Sequence, residues 1–335
     1  MSKKLHVPTR KDVAELAGVS ETIVSYVINN NRYVSDEKRQ RVLDAVRELH
    51  YRPNSIARSL KGKGSSHILF IADKIDNEYF GRIVREIDAV AYDKGYLISL
   101  MSVRNNQDFI NRILSRQADA VIVSSTGLDD QYIQMLIDAG IPVVLLMTRD
   151  YATVTGEVSR IYTGNESGIM NAVHYMYDKG ARHLVYVDRI SQHGHFSNRS
   201  DMRYRGFCNQ MEALCLPSDA IITHKTSYEE VYDAVCELIR GGSPADGFIC
   251  RNDQMASIVV QAVTDCGKRV PDDISVIGFD NSSICTILQP QLSSIDMERS
   301  AIASAAIELI DSMIAGNGAD ERHFITRLVL RGTTR

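Results

Sequence analysis

Between Thr9 and Leu49 apolar residues return every three or four positions, whereas from His67 onward they gather into short runs that alternate with amphipathic stretches. The first pattern predicts helices. Val13-Ala14-Glu15-Leu16-Ala17-Gly18-Val19-Ser20 reads as a helix, a glycine turn and the start of a second helix, with Thr9 and Asp12 spaced to cap the first. This is the helix-turn-helix pattern. At about 100° per residue, Ile23, Val24, Val27 and Ile28 share one side of the second helix, and Glu21, Thr22, Ser25, Tyr26 and Asn29 lie opposite. A third helix, opened by Ser35-Asp36-Glu37, carries Val42, Val46 and Leu49 and gives the first two something to pack against. Pro53 closes the unit; the helix-capable stretch from Pro53 to Leu60 and the Lys-Gly run after it read as a hinge that takes order from a partner.

The second pattern predicts strands at Ile68–Ile71, Tyr96–Leu100, Ala120–Val123 and Pro142–Leu146, with helices near 79–93, 106–116 and 130–139 between them. It then repeats. A helix carries Ile169, Ala172, Val173 and Met176, and a strand at Leu184–Val187 precedes a helix through Arg205 to Leu214. Ile221-Ile222, a helix near 228–239, Gly247–Cys250, a helix from Gln254 to Asp265 and Ile274–Ile277 complete a second half. Alternating strand and helix implies parallel sheets covered on both faces, and two such lobes would face a cleft, with ligands outside the carboxyl ends of the strands.

Net charge changes the picture once the chain is divided. Residues 1–64 carry 13 Lys and Arg against 7 Asp and Glu, so of the overall −4 the head holds +6 and the remainder −10. The basic part is the one with the helix-turn-helix pattern, which points to nucleic acid. Six scattered cysteines show no Cys-x-x-Cys pair, so neither a zinc site nor a redox motif is expected, and no cofactor is implied. With no hydrophobic signal core and no apolar run near the ~20 residues of a membrane helix, a cytoplasmic chain with no membrane partner is expected.

A run of motifs from Arg10 to Leu60 carries a resemblance: Asp12-Val13-Ala14, Leu16-Ala17-Gly18-Val19-Ser20, Val24-Ser25, Val34-Ser35, Arg41-Val42, Tyr51-Arg52-Pro53-Asn54 and Ala57-Arg58-Ser59-Leu60. It resembles the head and hinge of the LacI/GalR family of bacterial repressors. The likeness continues through Asp73–Phe80, Ala139–Val144, Arg203-Tyr204-Arg205-Gly206-Phe207, Asn252–Ala256, Val270–Asp280 and Leu330–Thr334. It implies a small all-α helix-turn-helix head on an α/β two-lobed, periplasmic-binding-protein-like effector domain with parallel sheets. The expected bounds are 1–52 for the head, 53–64 for hinge and linker, 65–163 plus 295–322 for the first lobe, and 164–294 plus 323–335 for the second.

The resemblance also assigns roles. On DNA the second helix would lie in the major groove of a near-palindromic operator, with Ser20 and Ser25 on phosphates and Glu21, Thr22 and Tyr26 at base edges. Many family members carry arginine where Tyr26 stands, which leaves the operator sequence open. Thr9, Asn29, Tyr33, Asn54 and Ala57 complete the DNA-contacting set, and Leu60 would wedge into the minor groove beside its counterpart in a homodimer. In the cleft, Asp73, Asp76, Arg149, Arg203, Asn252 and Asp280 would bind an effector that is a sugar or sugar derivative. Gly164 stands where aspartate is common. The cations Arg149, His193, His195, Arg199, Arg203 and Arg251 suggest an anionic effector, a sugar acid or phosphorylated sugar, unless they face solvent.

A regulator of carbohydrate genes is therefore the expected function. A sugar-binding transport receptor would share the two lobes but predicts a secretion signal and no basic head. An enzyme would have to recruit Asp188, His193 and His195, whose spacing resembles no catalytic motif. No heptad tail follows Arg331, so a dimer rather than a coiled-coil tetramer is expected.

Overall fold

The computed structural model describes residues 8–52, 65–116, 118–191, 194–217 and 221–335. The expectations for Asn54, Ala57, Leu60 and His193 lie outside these residues. The chain divides between Ser65 and Ser66 into two units.

In the first unit, α1 (Arg10–Ala17), α2 (Glu21–Asn29) and α3 (Asp36–Glu48) enclose a core of Val13, Ala14, Ala17, Val24, Val27, Val42 and Ala45. Thr9 and Asp12 form a reciprocal cap: the Asp12 amide donates to Thr9 Oγ1 at 3.4 Å and the Thr9 amide to Asp12 Oδ2 at 2.6 Å. Gly18 ends α1 at φ +61°, a left-handed conformation that glycine adopts without a Cβ penalty. Arg41 reaches back from α3 to donate to the Gly18 carbonyl at 3.3 Å, which ties the turn to the third helix.

The second unit contains two parallel-stranded sheets. The first has the order β11-β5-β4-β3-β1-β2, from β1 (His67–Ala72), β2 (Leu97–Ser102), β3 (Ala120–Ser124), β4 (Val143–Met147), β5 (Val158–Tyr162) and β11 (Glu321–His323). Its helices are α4 (Glu78–Asp93), α5 (Gln107–Leu114) and α6 (Asp130–Asp138). The second sheet has the order β12-β10-β9-β8-β6-β7, from β6 (Leu184–Val187), β7 (Ile221–Ile222), β8 (Gly247–Cys250), β9 (Ser275–Phe279), β10 (Ser293–Met297) and β12 (Thr326–Val329). Helices α7 (Asn165–Asp178), α8 (Met202–Ala213), α9 (Tyr228–Arg240), α10 (Asp253–Asp265) and the short α11 (Ile284–Ile287) belong to this lobe, and α12 (Arg299–Ile314) returns to pack on α4 of the first. Every pairing is parallel except β10 with β12.

Several boundaries differ from expectation for local reasons. Strand β2 starts after Tyr96 because the Tyr96 amide closes α4 on the Ala91 carbonyl at 2.9 Å, around Gly95 at φ +84°. Strand β10 stays in the second sheet through Met297, so the return to the first lobe comes three residues after the expected 294/295 division, and β11 keeps His323 in the first lobe. Gly164 occupies the first crossing at φ +78°, where a Cβ would sit 3.0 Å from the Phe324 carbonyl oxygen and the Thr326 amide nitrogen. A side chain there would be strained by the left-handed backbone and would press on the 324–326 segment, so glycine suits the position.

Candidate functional site

On α2 the expected division of faces holds at its extremes, and Ser25 and Tyr26, expected on the free face, depart from it. Val24 and Val27 are buried, Ile23 and Ile28 half-buried, and Ser20, Glu21, Thr22 and Asn29 exposed. Ser20 caps the helix, its Oγ accepting from the Ile23 amide at 3.4 Å. Ser25 and Tyr26 are half-buried, the Tyr26 ring packing against the head's core with the Arg32 guanidinium 5.4 Å above its centroid. The Asn29 amide donates to the Ser25 carbonyl at 2.8 Å, which fixes it along its own helix, whereas Tyr33 is 92% exposed. The start of α2 thus presents an exposed polar strip that includes Ser20, Glu21 and Thr22.

Between the lobes lies a cavity of about 210 Å³ lined by Thr126, Arg149, Arg189, Gly194, His195, Phe196, Asn198, Ser200 and Asp201. Strand ends position it: Thr126 follows β3, Arg149 follows β4 and Arg189 follows β6. Arg189 crosses from the second lobe to donate to Thr126 Oγ1 of the first, and its other nitrogen meets Asp201 at 2.6 Å. Arg251, just after β8, donates to Asp201 at 2.8 Å and to Ser197 Oγ at 3.1 Å. Burial alone would raise the Asp201 carboxyl, but the Arg251 and Arg189 charges outweigh it and hold it at about 2. Asp201 also caps α8, accepting from the Arg203 amide at 3.1 Å.

Of the six residues expected in the cleft, the structure brings Arg149 into the cavity lining. Its guanidinium pairs with Asp130 at 2.8 Å and lies 4.2 Å from the Tyr151 ring centroid. Arg203 and Asp280 are buried against each other at 2.9 Å, with Arg203 also held by Asn165 at 3.1 Å and by the Arg251 carbonyl at 2.6 Å. Burial raises the Asp280 carboxyl despite that partner. Asp73 is occupied by the 125–127 turn, accepting from Ser125 Oγ and from the Thr126 amide at 2.9 Å. Asn252 caps α10 through the Met255 amide at 2.9 Å, and Asp76 is exposed on the loop after β1. Among the expected cations Arg199 turns outward to Asn209 and Glu212.

Asp188 accepts from the Ser197 amide at 2.9 Å and from Thr223 Oγ1 at 3.0 Å, which ties those two residues to the end of β6. Sequence reasoning missed Arg189, Asp201, Thr126 and Phe196, although Arg189 stands two residues past the end of β6 and Asp201 two residues before Arg203.

At the start of α10 Asp253 is 1% exposed and accepts from the Ser282 amide at 2.6 Å and Ser294 Oγ at 2.5 Å. Burial, then the nearby Asp280 charge, raise its carboxyl to about 6. A group raised on folding takes up a proton in the native state, so stability falls as pH rises from about 4 to about 6. Asp253→Asn is expected to gain about 2 kcal/mol at pH 7.5, a difference that vanishes near pH 4 in urea titrations. A variant equally destabilised at both pH values would contradict that assignment.

A family model described as bacterial regulatory proteins, lacI family, matches residues 9–54, and one for a periplasmic binding protein-like domain matches residues 173–334. The HTH-type transcriptional repressor PurR of Yersinia pestis bv. Antiqua (strain Antiqua) is 30% identical over 322 residues, covering 93% of this chain and 92% of the relative. The chain belongs to the lacI family of bacterial regulatory proteins. The same-named repressor of Histophilus somni (strain 129Pt) is 29% identical over 93% of the chain and 94% of the relative. Among solved structures, a lac repressor dimer bound to operator and the anti-inducer ONPF has a TM-score of 0.82 at 24% identity, over 98% of this chain and 99% of that one. A CelR–cellobiose complex has a TM-score of 0.70 at 23% identity, over 97% and 99%. This LacI-family chain is accordingly a DNA-binding transcriptional regulator with an effector-binding domain. No helix among its described residues is long and apolar enough to cross a membrane.

Proposed function

We propose that this regulator is a homodimeric repressor of carbohydrate genes whose effector is a neutral sugar or polyol bound in the cavity between its lobes. The charge pattern carries this reading. The four guanidinium groups around the cavity meet four carboxylates: Arg149 faces Asp130, Arg189 faces Asp188 and Asp201, Arg251 faces Asp201, and Arg203 faces Asp280. A charged ligand would have to displace one of these pairs in a low-dielectric site, whereas hydroxyls can donate to Asp201 and accept from the arginines without upsetting the balance. Thr126, Asn198 and Ser200 add neutral polar groups, and Phe196 offers a ring to an apolar sugar face. The balance favours the neutral member over the anionic alternative suggested by counting cations.

On DNA, Glu21, Thr22 and Tyr26 are proposed base-edge readers, Ser20 and Ser25 phosphate contacts, and Thr9, Asn29 and Tyr33 flanking contacts, with Asn54, Ala57 and Leu60 supplied by the hinge. Relatives named as transcriptional repressors favour repression.

Selection of bound genomic fragments should recover a near-palindrome with an affinity that falls steeply with salt. Calorimetry should then find neutral mono- or disaccharides binding while the matching sugar acids and phosphates bind at least tenfold more weakly. Tight binding of the acids alone would overturn the neutral-ligand reading, and failure to enrich any site would overturn the operator reading.

A further inference from the structure

We propose that Cys236 and Cys266 are a redox-sensitive thiol pair that a hydroperoxide converts to a disulfide. The two cysteines lie far apart in sequence and meet where α9 packs on α10. Cys236 Sγ lies 3.9 Å from the Ala262 carbonyl oxygen, and the Cys266 amide donates to that same oxygen at 3.0 Å. One turn earlier on α9, Tyr232 donates through its hydroxyl to Asp265, the residue before Cys266, at 2.9 Å, so a second contact ties the two helices beside the pair. Burial, then the neighbouring Cys266 thiol, raises Cys236 above the ordinary thiol range.

The two cysteines differ in access, which sets the order of events. Cys236 is 2% exposed and Cys266 half-buried, so peroxide reaches Cys266 first. The Cys266 sulfur attacks the peroxide O–O bond, becoming a sulfenic acid and releasing one water or alcohol. Cys236 then attacks that sulfur, forming the S–S bond and expelling the second water, so two thiols and one peroxide give a disulfide and two hydroxyl products. The cross-link would pin the end of α10. At the other end of that helix stand Arg251 and Asn252, so the oxidised state would stiffen the element that carries the cavity's Arg251.

The full-length chain, treated with hydrogen peroxide, quenched and alkylated in denaturant, should show two fewer free thiols than its six, and dithiothreitol should restore them. Peptide mapping should join Cys236 to Cys266, and the Tm of the oxidised chain should rise by roughly 5 °C. Cys266→Ser should keep its remaining five thiols, whereas Cys236→Ala should lose one of its five as a Cys266 sulfenic acid that dimedone traps, and neither variant should show the peroxide-dependent rise in Tm. Loss of thiols as sulfinate, through an intermolecular bond of the exposed Cys215, or through any other intramolecular pair would overturn the assignment, as would a full count of six after treatment.

Discussion

Arg203→Met should destabilise the effector domain by about 3–5 kcal/mol at pH 7.5, the scale for removing one partner of a buried ion pair. The variant keeps much of the side chain's bulk but strands Asp280, which is 7% exposed and sits at φ +98°, a left-handed conformation a non-glycine residue holds only where its surroundings determine it. Three further acceptors would lose their donor or stacking partner: Asn165 Oδ1, the Arg251 carbonyl and the Phe279 ring 3.7 Å from the guanidinium. Because burial already raises the Asp280 carboxyl, losing Arg203 should raise it further. The native variant then binds a proton that the unfolded chain does not, so its deficit should shrink as pH falls toward 5. Urea unfolding at pH 8, 7 and 5 checks this. A deficit under 1 kcal/mol, or one that grows as pH falls, would mean that Asp280 is not the stranded group.

Much of this architecture is legible in hydrophobic spacing. The strands at 68–71, 120–123, 184–187 and 247–250 are continuous apolar runs because they are central and buried on both faces. The elements that escape such reading are polar for reasons settled only by the fold. Ser293 and Ser294 in β10 are fully buried, yet Ser293 is satisfied by Thr333 and Thr334 from the C-terminus and Ser294 by Asp253. Sequence alone offers no sign that those partners converge. Strand β5, Val158-Ser159-Arg160-Ile161-Tyr162, mixes polar and apolar positions and is recognisable only beside β4 and β11.

The cleft divides along the same line. Motifs pointed to Arg203, Asn252 and Asp280, but the fold uses the first and last as a mutual pair and the second as a helix cap. The groups around the cavity come from the segments at 126, 149, 189–201 and 251, whose separations follow no fixed interval, so periodicity and local spacing are silent about them.

The counterion role of Asp201 leads to a second large effect, a change of ligand preference. Asp201→Asn retains an oxygen to cap α8 but places an amide donor against Arg189 and Arg251, both of which donate to the native carboxylate. One negative charge disappears while two guanidinium groups remain, so the cavity gains a net positive charge. Neutral-sugar affinity should fall about 100-fold, within the 2–5 kcal/mol seen when one member of a buried charge pair is truncated. Sugar acids or phosphates should gain at least tenfold, since an anion now restores the missing counter-charge. Stability should change too. The Asp201 carboxyl is held at about 2, below its unfolded value near 4, so the native charge contributes about 2 kcal/mol above pH 4, lost as pH falls through about 2. The variant's deficit should therefore be largest at neutral pH and shrink in acid, the same direction as that of Arg203→Met but over a more acidic window. Calorimetry with a matched neutral sugar and its acid decides the point. If Asp201→Asn binds both as the parent chain does, the arginine–aspartate balance does not select the effector; if it loses the neutral sugar without gaining the acid, Asp201 acts as a direct hydroxyl acceptor and not as the cavity's counter-charge.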